Sequence, residues 1–524
     1  MKYSANHIEL FAGCGGLSLG LDQAGFSLTL ANELSPMAAE SFAYNFFNEN
    51  LEEKSKLNQC NENTLWLNSN FSDLKSRLRE NPFTYPPFED NSGISDLPQN
   101  IKKLKGKLIV GSIIELNRLL ESYPELVNKL KDGFGDGRLD LVSGGPPCQS
   151  FSMAGLRRRD CEKNTLPWEF ANFVNYTQPK IAMLENVTGI LRAFNGENGQ
   201  RFHAWYEVAK VFATYNYVPL CLHVNARLAG VAQNRPRFIM IAVRHDHLLS
   251  IIEKLDTVSN SLFTEPLAFF EKVKNKGETL EFGHLNYIDA IKDHALFESS
   301  FLKPLVSGEQ VSVKDALDDL KLENPSNPSF FVQQLNKKFH CLDKRTSLSN
   351  HDFRNNSDLV KRRFRIYQIL QNIDDRSVTK AVFSILKGEL DFLSEHSWNM
   401  LKKHEFKLEN NELFKFKTKT QLELYLHQHP TKKQTQKALV ADAPAPAALS
   451  IPDDACHYDH QELRVLTVRE MARIQSFPDN FVFRSKITTG GQMRKFEVPQ
   501  YTQVGNAVPP LLGYALGLSL QALL

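Results

Sequence analysis

The chain has 524 residues, of which 42% are hydrophobic and 23% charged, with a formal net charge of +2. It is too long for one ordinary domain, its composition is that of a soluble globular protein, and no apolar run approaches bilayer length. Its 7 scattered cysteines show no C-x-x-C or C-x-x-H pairing, which argues against a disulfide framework or a zinc site.

The chain begins directly with a strand-like segment, so no signal peptide is expected, and a reducing, cytoplasmic location is. Short apolar runs at 7–11, 27–31, 108–110, 139–142, 181–184, 220–224 and 238–243 read as strands, with helix-like stretches such as 36–47 and 202–214 between them. Continuous apolar strands alternating with helices predict an α/β fold around a parallel sheet covered on both faces. Ligands of such sheets bind beyond the carboxyl ends of the strands.

The first strand ends in Phe11-Ala12-Gly13-Cys14-Gly15-Gly16. Glycines at a strand-to-helix turn let backbone approach a ligand, and the next helix aims N–H groups at it. The spacing is a poor dinucleotide fingerprint. Cys14 reads as a small packing residue. The second strand ends at Glu33, placed to accept hydrogen bonds from ribose hydroxyls. Residues 50–107, rich in Asn, Ser, Lys and Pro, break the rhythm and read as a partly helical insertion on the sheet's rim.

Strand 139–142 runs into Gly144-Gly145-Pro146-Pro147-Cys148-Gln149-Ser150. Two glycines and two prolines hold Cys148 on a rigid, exposed loop, as a nucleophile requires. The thiol attacks as thiolate, so nearby cations help it. Strand 181–184 leads into Glu185-Asn186-Val187, which sets Glu185 at the same edge as a partner acid. Gln233-Asn234-Arg235-Pro236-Arg237 then enters strand 238–243, and Arg235 and Arg237, two apart on extended chain, make one cationic face.

Beyond 245 the alternation stops. Residues 331–440 hold 21 Lys+Arg against 12 Asp+Glu, a net of +9, which leaves about −7 for the remainder and suits a polyanionic partner. Residues 441–448 read as an exposed Pro/Ala linker. Pattern returns after 460 and closes with a helix-like run over 510–524.

In order and wording these segments resemble the motif series of the DNA (cytosine-5)-methyltransferases. The resemblance covers roughly residues 5–245 and 460–524, including Arg464 to Glu470 with Arg473, Gln475, Phe477 and Pro478, and Gln503-Val504-Gly505-Asn506-Ala507-Val508-Pro509-Pro510. It implies a Rossmann-like S-adenosylmethionine-dependent domain with an inserted, mixed target recognition domain. The divisions it implies are 1–245 for catalysis and cofactor, 246–460 for recognition and 461–524 for the return to the catalytic domain. It assigns Cys148, Glu185, Arg235 and Arg237 to catalysis, and Phe11, Gly13, Gly15, Gly16, Glu33, Ser112, Ile113, Pro147, Leu166 and Asn506 to the cofactor. Two departures stand out. Gly111-Ser112-Ile113 replaces the usual Gly-Asp-Ile, putting a hydroxyl where a carboxylate would meet adenine, and Lys163-Asn164 replaces Arg-Gly before Thr165-Leu166.

The implied chemistry is attack of the Cys148 thiolate on C6 of a flipped cytosine, with Glu185 at N3 and the exocyclic amine, and methyl transfer to carbon 5. The implied partners are double-stranded DNA and, functionally, a cognate restriction endonuclease; no membrane is involved, and a monomer is expected. Candidate DNA contacts are Lys361-Arg362-Arg363-Phe364-Arg365 and Lys415-Phe416-Lys417-Thr418-Lys419. The same chemistry on RNA is the nearest rival; the size of 246–460 favours duplex DNA. A nicotinamide dehydrogenase would leave Pro147-Cys148-Gln149 unexplained.

Overall fold

The computed structural model describes residues 5–90, 92–147, 165–195, 201–276, 280–339, 348–432, 436–447 and 449–524. The elements that frame the site, in chain order, are β1 (Ala5–Leu10), α1 (Gly16–Gln23), β2 (Phe26–Glu33), α2 (Pro36–Phe47), β3 (Thr64–Trp66), β4 (Lys107–Val110), α3 (Ile113–Ser122), β5 (Leu141–Gly144), α4 (Leu166–Thr177), β6 (Ile181–Val187), α5 (Ala204–Thr214), β7 (Tyr217–Asn225), β8 (Pro236–Arg244) and β9 (Ile288–Asp289). Further on come α6 (Asp358–Ile373), α7 (Arg376–Leu386), α8 (Lys419–His427), α9 (Val468–Ile474), α10 (Gln500–Asn506) and α11 (Pro510–Gln521).

The nine strands form one sheet in the order β9-β7-β8-β6-β5-β1-β2-β4-β3. All neighbours run parallel except β8, which is antiparallel to both β6 and β7. The predicted α/β architecture is therefore present, with one reversed strand that apolar patterning could not show. Chain order reverses between β1 and β5, where Leu10 pairs Gly144. The crevice at such a switch point is where open sheets of this kind take ligands. The glycine turn after β1 and the Pro-rich loop after β5 leave the sheet side by side there.

Helix α2 starts with Pro36 in its first turn and spans the predicted 36–47. Helix α11 returns to pack on α1 so closely that a Cβ on Gly20 would lie 2.5 Å from Tyr514 N. The insertion at 50–107 contributes more than a rim: β3 pairs β4 and becomes the sheet's edge. Asp96 fastens it, accepting from Trp66 N at 3.1 Å, Asn61 Nδ2 at 3.0 Å and Arg77 Nη1 at 2.8 Å.

The body expected to end at 245 continues. Leu248, Phe263, Phe269, Phe270, Phe297 and Leu305 share the sheet's own core, and β9 extends the sheet beside β7. A second core joins Val313, Leu317 and Leu335 to Leu466, Met471, Phe477 and Val504. A third, built from α6, α7 and α8, buries Phe364, Ile369, Val382, Phe406 and Leu426. The Pro/Ala stretch is not an exposed linker. Ala445 is buried, its N–H donates to Ala232 O at 2.9 Å, and its carbonyl accepts from Asn234 N at 2.8 Å. Small side chains there allow backbone to lie against backbone.

Candidate active site

The cofactor half is built on the turn after β1. Phe11 takes a left-handed φ of 56°, and Gly13 and Gly15 follow at 57° and 96°. Phe11 carries the cost of that conformation as a non-glycine residue, a kind of strain that clusters at ligand sites. A Cβ on Gly13 would meet no atom within 4 Å, so the turn is open above it. A Cβ on Gly16 would stand 2.4 Å from Val508 O, so only glycine lets the last segment close against this turn. Glu33 ends β2 with its carboxylate accepting from Gly13 N at 2.8 Å and Ser35 N at 2.7 Å. Burial raises its pKa, and those N–H bonds oppose the rise.

Two groups beneath the turn behave differently. Burial pushes the Cys14 thiol up to about 12, consistent with packing rather than reactivity. Burial likewise lifts Glu9 to about 8, with Ser18 Oγ–H donating to it. Sequence reading missed Glu9; the available signal was a carboxyl inside an otherwise apolar strand.

The remaining cofactor candidates lie on other elements. Ser112 caps α3, its Oγ accepting from Ile114 N at 3.2 Å, which leaves its O–H to donate. Ile113 is buried behind it, and Leu166 begins α4 packed on the main core. Asn506 is exposed at the end of α10. Pro147 is exposed, and Pro146 O accepts from Asn186 Nδ2 at 2.9 Å.

The reactive half lies at the ends of β5, β6 and β8. Glu185 Oε1 pairs with Arg237 Nε at 2.7 Å, both side chains about nine-tenths buried. A Cβ on Gly145 would be 2.9 Å from Glu185 Oε2, so the Pro-rich loop passes directly over the carboxylate. Burial lowers the Arg237 pKa, and Glu185 works against that by charge and hydrogen bond. Cys148 lies outside the described residues, as do Lys163 and Asn164; the described chain leading to Cys148 ends at Pro147.

Arg235 faces elsewhere. Its Nη2 donates to Gly505 O at 2.8 Å and Ala507 O at 2.9 Å, the carbonyls either side of Asn506. Its Nε is buried without a partner among the described residues, and burial followed by repulsion from Arg237 drives its pKa well down. The guanidinium thus ties the start of β8 to the chain at the end of α10.

The basic stretches are mostly engaged internally. Arg362 is buried on α6 and donates to His429 Nε2 at 2.9 Å, Arg363 to Pro430 O at 2.9 Å, and Arg365 to Glu405 O at 2.9 Å. Phe364 and Phe416 are core residues; Lys419 pairs with Glu395 at 2.8 Å, whereas Lys417 is exposed. No group of His, Cys, Asp and Glu that could hold a metal ion occurs among the described residues, and no helix among them is long and apolar enough to cross a membrane.

A profile of the family described as C-5 cytosine-specific DNA methylase matches residues 5–65 and 125–522. The chain is 25% identical over 513 residues to the type II methyltransferase M.DdeI of Desulfomicrobium norvegicum, covering 98% of this chain and 87% of the relative. It is 23% identical to the type II methyltransferase M1.HphI of Haemophilus parahaemolyticus, covering 98% and 86%. The crystal structure of the S. pombe Dnmt2 methyltransferase aligns over 99% of both chains at 12% identity with a TM-score of 0.42.

Proposed function

The chain belongs to the C-5 cytosine-specific DNA methylase family, and from that premise we propose that it methylates carbon 5 of one specific cytosine in duplex DNA, using S-adenosylmethionine and a covalent Cys148 adduct. The observation that carries this reading is the buried Glu185–Arg237 pair under the Gly145-Pro146 loop, at the switch point that also holds the glycine turn and Glu33.

The cofactor residues fit the group. The open space above Gly13 admits a close ligand, and Glu33 offers a buried carboxylate for ribose hydroxyls. Phe11, Gly15, Gly16, Ile113, Pro147, Leu166 and Asn506 would wall the site, with the Ser112 hydroxyl toward adenine. Bound there, S-adenosylmethionine supplies an electrophilic methyl group on a sulfonium.

The chain's own residues do the rest. The target base leaves the stack, since C6 is shielded within it. Cys148 Sγ bonds to C6, and the C5–C6 electron pair moves to C5, which takes the methyl group. Glu185 binds N3 and the exocyclic amine, where charge develops as C6 is attacked. Arg237 orients Glu185 and holds the base. Loss of the C5 proton then re-forms the double bond and expels Cys148. Residues 246–460, or that part of them beyond the sheet's own core, would read the DNA sequence, and the type II relatives support a companion endonuclease.

The deciding assay offers labelled S-adenosylmethionine with duplex DNA or with tRNA. Label is expected in DNA, at one sequence by bisulfite sequencing, and lost in Cys148→Ser. Label confined to tRNA would sink the DNA reading.

A further inference from the structure

Outside the site just described, three side chains form a hydrogen-bonded line at the same edge of the sheet. Asp289 Oδ2 meets His223 Nδ1 at 2.7 Å, and His223 Nε2 meets Thr188 Oγ1 at 3.3 Å. Asp289 Oδ1 is held in turn by Ile291 N at 2.9 Å and Lys292 N at 3.1 Å. With Asp289 a carboxylate, His223 Nδ1–H donates to it, and in the neutral imidazole Nε2 then accepts from the Thr188 hydroxyl. Burial would raise the Asp289 pKa, but the bonds from His223, Lys292 and Ile291 bring it below the ordinary value.

The placement of this line gives it meaning. Asn186, Phe238, His223 and Asp289 stand in one lateral row across β6, β8, β7 and β9. Asn186 is the residue that grips Pro146 O beneath the loop toward Cys148. Thr188 opens the short turn, Thr188–Leu191, that follows the strand bearing Glu185 and Asn186. Among the described residues that turn starts without a side-chain cap, and His223 meets its first residue from the sheet. β9 pairs β7 at only two positions, yet it delivers Asp289 to this row.

We propose that Asp289, His223 and Thr188 are positioning residues that hold the end of β6, and with it Glu185 and Asn186, in register for methyl transfer. The short strand β9 is then a working part of the catalytic end. This rests on the reading of Glu185 as the group that meets the base.

The test compares Thr188→Val, which removes the hydroxyl at nearly constant shape, with Thr188→Ser, which keeps it, and adds Asp289→Asn. Thr188→Val is expected to lower kcat about tenfold or more, as small misplacements of catalytic groups do. KM for DNA and for S-adenosylmethionine should stay within about twofold, and Thr188→Ser should recover most of the turnover. Amide exchange over 185–191 should quicken in Thr188→Val and Asp289→Asn. Unchanged kcat in Thr188→Val overturns the proposal, as does a raised KM for DNA at unchanged kcat, which would make Thr188 a DNA contact. Should the wild type methylate no DNA, the function is wrong, and amide exchange alone then decides whether the line holds the turn: unchanged exchange overturns it.

Discussion

One methyl group at position 145 would meet Glu185 Oε2 at 2.9 Å. The atom it meets is the end of a side chain, so Gly145→Ala can be accommodated by moving the carboxylate off Arg237. We expect a loss of kcat of about tenfold to a hundredfold with little change in Tm, checked by single-turnover methylation and thermal melts. Arg235 predicts a different pattern. Its loss should loosen the carbonyls of Gly505 and Ala507. Arg235→Gln should therefore raise KM for the cofactor more than KM for DNA; the reverse pattern would return Arg235 to the base. Glu9 predicts a pH effect. Its pKa rises from 4.5 to about 8, so between those values the folded protein holds a proton that the unfolded chain has released. Stability from this group is therefore present below 4.5 and lost as pH rises through about 8. Glu9→Gln should flatten the fall of Tm between about pH 4.5 and 8, measured against wild type in matched buffers. The placement of Glu33, Glu185 and Arg237 at strand ends was legible in the sequence because charged side chains there contrast with the apolar runs beside them. The partners of Arg235 were not, because they are carbonyls some 270 residues away.

At the level of elements, periodicity located seven of the sheet's strands and α2, missing the short β3 and β9, and it carries no direction. A buried strand reads the same either way, so the reversal of β8 was hidden. The Pro/Ala stretch misled for a related reason: low side-chain bulk marks both a free linker and a backbone that docks closely, as Ala445 does on Ala232. The basic run on α6 misled because the helix turns one face of it inward, where Arg362 finds His429. Two substitutions separate these roles. Arg362→Ala should cost about 1–3 kcal/mol of stability, read in denaturant melts, because it strands a buried partner. Lys417→Ala should leave stability unchanged and reduce the slope of log K against log salt by about one if that exposed lysine meets a phosphate. An unchanged slope would remove Lys417 from the interface.

Across the whole molecule the family match omits residues 66–124, which includes most of the rim insertion. The sheet's core also runs past 245 to Leu305, beyond the boundary that the loss of strand–helix alternation implied. The rim insertion and the stretch past 245 each contribute a short strand, and these lie at opposite margins of the sheet: β3 with three residues and β9 with two. A sheet margin exposes unpaired N–H and carbonyl groups that can recruit a second chain, and long flat margins are where proteins aggregate. Here each margin is a stub offering an intruding strand only a rung or two of ladder. The extensions that enlarge this enzyme therefore also blunt it, and a protein with a nine-stranded sheet should stay monodisperse on concentration without needing a barrel or a partner to hide its edges.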